Sequence, residues 1–306
     1  MRKRFHLLRT FPFLKAVFSK LFPKLLDFTN FPVIQGNVTL LIQERNAYLR
    51  NSLNQSESNS YHLKLIDLLE TNFLNNINLV RIGPDSDGGY FIPEAYTRNS
   101  KWVSVGLGYN FGFENMLAEK NCAVYCFDHT IEGRPKLLDK SVTYFPKGWG
   151  SHKESEETIK LLTLGDMVYL SEDKSNKTNI WCLKFDIEGN EWQSIGQIND
   201  LPLKPDVIVC EIHGLLWDNT KNQTLDIINK LKKLLEDYVI CFLHGNNYSA
   251  YFKNMEYGIY DIVELTLIRR GITASIESSK VNNLNNLTKN NKMIEQMPFG
   301  RFNNQQ

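Results

Sequence analysis

Three carboxylates fall within six residues, Asp186, Glu188 and Glu191, with Gly189 among them. A carboxylate placed this way can hold an amino group, ligate a cation or accept a proton as a base. Asp186 leads the group and is the first candidate for chemistry, with Glu188 second. Glu191 suits the first turn of a following helix, where the macrodipole favours negative charge. His213 and His244 each directly follow an apolar run, and either could deprotonate a hydroxyl or amine; His213 is the stronger candidate, with Glu211 placed to orient it. A second constellation lies upstream. Gly106 and Gly108 follow an apolar run and precede a helical one, and Asp128 comes 20 residues later. Glycines let backbone approach a ligand, a helix N-terminus offers free N–H groups to a carboxylate or phosphate, and an acid at that distance can accept from both hydroxyls of a ribose. With Gly112 the spacing is GxGxxxG rather than the dinucleotide GxGxxG. His129, next to Asp128, reads as a neighbour of that ligand or as structural. Asp85-Ser86-Asp87 mimics a metal-binding DxD, but Gly88-Gly89 makes it a turn. The spacings assign no metal site.

These residues need elements to hold them. Apolar runs at Trp102–Val105, Ala123–Phe127, Val142–Phe145, Ile180–Phe185, Asp206–Cys210, Tyr238–Leu243 and Tyr260–Arg270 read as strands. Helices are expected over Tyr61–Leu74, Phe113–Lys120 and Glu154–Leu164. The strongest spans Thr220–Asp237, with Leu225, Ile228, Leu231, Leu234 and Leu235 as its buried face and Asp226/Lys230 as an i,i+4 pair. Leu79–Ile82 leads into the turn-dense Gly83–Tyr90. No helix separates the last two strands, which makes an antiparallel pair. The order predicts an α/β fold: a doubly wound, mostly parallel seven-stranded sheet with one antiparallel strand, Rossmann-like. Ligands bind such sheets beyond the carboxyl ends of the strands, where Gly106, Gly108, Asp128 and Asp186 all fall.

The chain has 306 residues, a formal net charge of +1 and 42% hydrophobic residues. Near-zero charge argues against a nucleic-acid partner. The five cysteines lie in or beside apolar runs without a CxxC pair, which fits reduced core thiols and a cytoplasmic setting. No apolar run is long enough for a transmembrane helix. Seven Lys and Arg residues precede Asp27, interleaved with Phe and Leu. Residues 1–30 could therefore contact a membrane surface, act as a targeting peptide, or pack as a basic arm. The expected organisation is a basic, partly helical extension over 1–58, one domain over 59–275 with a polar linker at Asn51–Ser60 across their boundary, and an Asn/Gln-rich tail over 276–306 in which Met297-Pro298-Phe299 could dock.

Six motifs in order resemble a known family: Arg81-Ile82-Gly83 with Asp87-Gly88-Gly89-Tyr90, Phe127-Asp128-His129-Thr130, Leu183 to Trp192, Glu211-Ile212-His213, His244-Gly245-Asn246-Asn247, and Glu264-Leu265-Thr266. Together, over residues 79–270, they resemble the FkbM-type methyltransferases, specifically relatives carrying a DGGY motif. The resemblance implies a class I methyltransferase fold, S-adenosylmethionine as donor, and an oxygen acceptor on a sugar or other small molecule. It implies cofactor binding by Gly106, Gly108 and Asp128 and a reaction centre at Asp186; the residue reading adds Asp186 as a holder of the donor's amino group and His213 and Glu188 as catalytic candidates. Where class I enzymes carry an acid two residues before the first glycine, this chain has Ser104, leaving Glu114 or Asp87 to compensate. Two other readings fit the same loop: a nicotinamide-dependent oxidoreductase, disfavoured by GxGxxxG and the acidic turn, and a non-catalytic binding module.

Overall fold

The computed structural model describes residues 55–74, 77–150, 161–172, 180–216, 221–246, 249–253, 255–272 and 299–301. Helix α1 (Gln55–Thr71) comes first, followed by strands β1 (Leu79–Ile82), β2 (Tyr90–Pro93) and β3 (Lys101–Val105). Helix α2 (Gly112–Glu119) then leads to β4 (Ala123–Phe127), β5 (Thr143–Phe145), β6 (Gly148–Trp149) and β7 (Leu161–Leu162). Next come α3 (Leu164–Leu170), β8 (Trp181–Phe185), the short helices α4 (Glu191–Ser194) and α5 (Gln197–Asp200), β9 (Val207–Ile212) and α6 (Lys221–Asp237). The chain ends with β10 (Tyr238–Gly245), β11 (Tyr251–Lys253), β12 (Tyr257–Tyr260), β13 (Val263–Arg269) and β14 (Gly300–Arg301).

Seven strands form one mixed sheet in the order β10-β13-β9-β8-β3-β4-β5. All neighbouring pairs from β9 to β5 are parallel, and β13 runs antiparallel to both β9 and β10. This is the mostly parallel α/β sheet with one reversed strand that the apolar runs predict. Side chains alternate across each strand, so each face feeds its own core. One core joins Val103, Phe127, Leu183, Phe185 and Ile208 to α1, α3 and α6 through Leu65, Leu69, Met167, Leu231 and Leu234. The other joins Trp102, Cys126, Cys182 and Val209 to the β1–β2 hairpin and α2 through Ile82, Phe91, Phe113 and Leu117. Strands sandwiched this way read as near-continuous apolar runs, and all five residues of β8 are buried. The five cysteines are free and buried.

Several expectations shift. Residues 55–60, read as part of a linker, are the start of α1; Gln55 and Glu57 are good helix formers, and the helix propagates back from the buried Tyr61–Leu69 turns. Of the helix expected over Glu154–Leu164, residues 154–160 lie outside the described residues. Leu161 and Leu162 are strand, and the helix starts only at Leu164. A capping box fixes that start: the Thr163 side chain accepts from the Asp166 N–H while Asp166 caps back. On α6, Ile227 joins the buried face and Leu225 is 43% exposed, because the buried stripe runs 227, 228, 231, 234, 235. The Asp226–Lys230 pair forms at 2.7 Å. The last strand begins at Val263 rather than Tyr260. Asp261 breaks it: its carboxylate accepts the Leu216 N–H at 2.8 Å, and its own N–H donates to Ala250 at 2.9 Å. Tyr257–Tyr260 instead pairs with β11 and with Gly300–Arg301 of the tail, and Phe299 packs on the core. Residues 1–54, including the basic segment, lie outside the described residues.

His62 on α1 has no exposed surface; its Nδ1 lies 2.9 Å from the Tyr257 hydroxyl and its Nε2 has no partner. Burial lowers its pKa to about 4. The unfolded chain therefore binds a proton near pH 6.5 that the folded chain refuses until about pH 4, so stability falls across that window as pH falls. The full effect is on the order of 3 kcal/mol. Urea melts of the wild type and of His62→Gln between pH 7.5 and 4 should show a smaller acid-induced loss in the variant.

Candidate functional site

Beyond the carboxyl ends of β3, β4, β8 and β9 the polar residues of the sequence converge. The position of Gly106 is dictated by close approach. The N–H of Gly106 donates to Phe127 at 2.9 Å, the N–H of Asp186 donates to Val105 at 3.0 Å, and a Cβ at 106 would overlap the Asp186 carbonyl oxygen. Its φ of +75° adds strain for any L side chain. Gly108 differs: its φ is +56°, yet a Cβ there would meet nothing within 4 Å. It opens onto space above the loop.

Asp128 fixes this loop. One carboxylate oxygen accepts the N–H groups of Leu107 at 2.9 Å and Gly108 at 3.1 Å; the other accepts the N–H and hydroxyl of Thr130 at 2.7 and 2.6 Å. Four donors thus converge on one buried carboxylate, and the sequence offered no sign of the Thr130 contacts. His129 is exposed, and its ring lies where a Cβ of Gly148 would go.

Beneath the loop lies a buried charge pair. Lys184 points from β8, 4% exposed, and donates to the Gly106 carbonyl at 2.6 Å. Its ammonium is 4.0 Å from Glu114, which accepts the Ser104 hydroxyl at 2.6 Å. The Glu114 carboxylate, one of the two acids considered for the place Ser104 leaves empty, therefore lies beside Ser104 and Lys184. Lys184 also sits 5.6 Å from the centre of the Tyr90 ring. Tyr90 ends the DGGY turn, which packs over this edge of the sheet; its hydroxyl approaches Asp186 Oδ2 at 3.4 Å. Asp85-Ser86-Asp87 is a turn, held by Arg81 donating to the carbonyls of Pro84 and Ser86.

The acidic stretch and His213 meet. His213 Nδ1 lies 3.1 Å from Glu191 Oε1; its Nε2 lies 3.5 Å from Glu211 and 3.6 Å from Glu188. Asp186, Glu211 and His213 each bring one donor atom within 4.8 Å of the others'. Glu191 opens helix α4 as expected, but it does more than complement the helix dipole. It has no exposed surface, and it accepts from the N–H groups of Ile187 and Gly189, both at 3.2 Å, as well as facing His213. Glu188 is the solvent-facing member, 45% exposed, with a left-handed φ of +55° that costs a non-glycine residue on the order of 1 kcal/mol. His244 is buried elsewhere on the same edge, 3.8 Å from Glu264, with neither ring nitrogen hydrogen-bonded.

Charge crowding shifts these groups. Burial raises the Asp186 pKa, against the pull of Lys184 and His213. Burial and then Asp186 push Glu211 well up and Glu188 up to about 7, water screening part of the latter. Burial favours neutral His213, but the Glu191 hydrogen bond and the charges of Glu191, Glu211 and Asp186 outweigh it and raise its pKa well above the usual value. Burial, then Arg81, lowers His244 to about 4. The structure therefore brings Asp186, Glu188 and His213 together, places Gly106, Gly108 and Asp128 in one neighbouring loop, and leaves His244 apart. Glu191, Lys184 and Tyr90 are the members the sequence reading missed. A lysine inside an otherwise apolar strand was the readable sign for Lys184.

Three comparisons bear on this site. The family model for the methyltransferase FkbM domain matches residues 71–238, more than half of the chain. No curated protein matches the sequence. Among solved structures, a putative hemolysin from Streptococcus thermophilus aligns with 8% identity and a TM-score of 0.30. That alignment covers 56% of this chain and 60% of the hemolysin, so the chain spans less than two thirds of that protein's length.

Two predictions follow from the loop's supports. Gly106→Ala should destabilise by on the order of 4 kcal/mol or more, whereas Gly108→Ala should cost about 1 kcal/mol, both read by urea denaturation. Lys184→Met leaves Glu114 buried without its cation and should cost about 3–5 kcal/mol; adding Glu114→Gln should recover part of that loss.

Proposed function

The chain belongs to the methyltransferase FkbM domain family, and we propose that it transfers a methyl group from S-adenosylmethionine to a hydroxyl of a sugar or other small acceptor. The observation that carries this reading is the juxtaposition of an open glycine loop with a buried carboxylate–imidazole cluster on one edge of the sheet. Numbered along the chain, the sheet's strands run 3-2-1-4-5-7-6, and the proposal includes the doubly wound, class I form of this architecture. The loop ends beside the central strand, and Gly108 faces open space in which a Cβ would meet no atom within 4 Å.

The cofactor would supply an electrophilic methyl on a sulfonium that is already a good leaving group. The chain's own residues then have two tasks. Gly106 and Gly108 set the loop against the ligand, and Asp128 holds the loop's N–H groups in register from the ribose side. Asp186, Glu188 and His213 receive the acceptor. They would orient its oxygen for in-line displacement and draw off its proton toward the exposed Glu188 carboxylate. Orientation is the larger contribution, since effective molarity from positioning alone reaches several kcal/mol. Glu191 positions His213 by fixing its Nδ1.

Isothermal titration calorimetry tests the donor site. The wild type should bind S-adenosylmethionine and S-adenosylhomocysteine one to one. Gly108→Val and Asp128→Ala should weaken both at least tenfold, with Gly108→Val remaining folded by circular dichroism. Binding of NAD(P) in place of either sulfur compound would replace this reading with the oxidoreductase one.

A further inference from the structure

We infer that Asp186, Glu211 and His213 form a binding site for one divalent first-row transition cation of the Zn²⁺ or Mn²⁺ class. Ligand bonds to such ions are about 2.0–2.2 Å long, so two ligand atoms on one ion lie at most about 4.4 Å apart. The three donor atoms already lie within 4.8 Å of one another, so closing onto tetrahedral edges of about 3.4 Å asks each to move by less than about 1 Å. The His213 Nε2 to Glu211 Oε1 separation of 3.5 Å is long for a charge-assisted hydrogen bond. It is close to the edge, about 3.4 Å, of a tetrahedron built on bonds of that length.

Two further observations point to a ligand rather than to a mere acidic patch. The first is the support behind the imidazole. His213 Nδ1 is tied to Glu191, which is fully buried and anchored by two backbone N–H groups. A carboxylate on one ring nitrogen fixes the tautomer that presents the other nitrogen to a metal. Here that other nitrogen, Nε2, faces Glu211 and Glu188. The second is an unpaired oxygen. Among the described residues, Asp186 Oδ1 is buried without a hydrogen-bond partner, and Oδ2 has only the 3.4 Å approach of Tyr90. A buried carboxylate oxygen left unpaired costs on the order of 1–3 kcal/mol, a cost that a cation would remove. Lys184, the nearest ammonium on β8, is committed to the Gly106 carbonyl and Glu114. Around the single imidazole stand Asp186, Glu188, Glu191 and Glu211.

The donor set decides the class of ion. One imidazole with two carboxylates suits zinc, manganese or iron, whereas calcium and magnesium favour all-oxygen sites. Asp186 and Glu211 each come from the end of a different strand, β8 and β9, so their spacing in sequence carries no metal signature. Glu188, exposed and 3.6 Å from Nε2, stands at the mouth. It can close the site as a further ligand or yield the position to an oxygen of water or of an acceptor. Only that last role rests on the methyl-transfer reading; the cation site itself does not.

The test uses the full chain stripped with EDTA and dialysed, with Co²⁺ as a spectroscopic probe and Zn²⁺ as competitor. The expected result is one Co²⁺ per chain, visible ligand-field bands, and displacement by Zn²⁺. Asp186→Asn and His213→Ala should each weaken Co²⁺ binding at least 100-fold, and Glu191→Gln by roughly 10–100-fold. Asp186→Asn, which preserves shape, decides the matter should His213→Ala fail to fold. Absence of saturable one-to-one binding, or wild-type binding in Asp186→Asn, overturns the inference. S-adenosylmethionine titrated into the same stripped protein separates the two ideas. Cofactor binding without a cation site removes only the metal; a cation site without cofactor binding removes only the methyl-transfer reading.

Discussion

The carbonyl oxygen of Asp186 occupies the space where any residue but glycine at 106 would place its Cβ. That contact brings the ends of β3 and β8 together, and the candidate site is built on it. With the two backbones in touch, the loop after β3 and the acidic turn after β8 share one wall. A side chain at 106 would separate them by more than an ångström, which is the scale on which positioning for a displacement reaction fails. The ladder continues into the same junction, because the Gly106 N–H reaches back to β4 and the Asp186 N–H to β3. Backbone hydrogen bonds and one missing methyl group thus set the geometry before any catalytic side chain is considered.

The junction is held from below by charge. Lys184 sits in a strand that is buried on both sides, where an ammonium costs several kcal/mol to desolvate. The chain offsets that cost with three partners of different kinds: the Gly106 carbonyl, the Glu114 carboxylate and the face of Tyr90. Each belongs to a different element, so one ammonium ties β8 to the glycine loop, to α2 and to the DGGY hairpin. A hydrophobic residue in its place could fill the volume, but it could not fix the direction of the Gly106 carbonyl. Such a group contributes to register at least as much as to stability.

What could be read from the sequence follows the same physics. The central strands were legible because a strand buried on both faces is a continuous apolar run, the partly exposed edge strand β5 only from its short aromatic run Tyr144-Phe145, and the reversal of β13 because no helix fits between β10 and it. The glycine loop, Asp128 and Asp186 stood out because residue type and position at strand ends limit what they can do. Three things were hidden. Tyr260 continues the apolar run of β13, so the break at Asp261 is set only by the tertiary partners Leu216 and Ala250. Glu191 has the composition and place of a helix-start acid, and only the fold buries it against His213. Glu211 and His213 come within reach of Asp186 because β8 and β9 are neighbours in the sheet, a fact of strand order that sequence spacing does not carry.

The acidic cluster is then the feature with the least local justification. Asp186, Glu191 and Glu211 crowd one imidazole where water is largely excluded, and Glu188 adds a strained left-handed backbone. None of this helps the chain fold: like charges at this spacing repel, and an unpaired carboxylate oxygen is a net loss. Four donors converge on Asp128 on this edge, whereas Asp186 Oδ1, Glu191 Oε2 and both ring nitrogens of His244 are buried without a hydrogen-bond partner among the described residues. Strain and unmet polarity survive where something outside the chain completes them. On the proposed reading, that complement is the cation bound by Asp186, Glu211 and His213, reached from the side where Glu188 meets solvent.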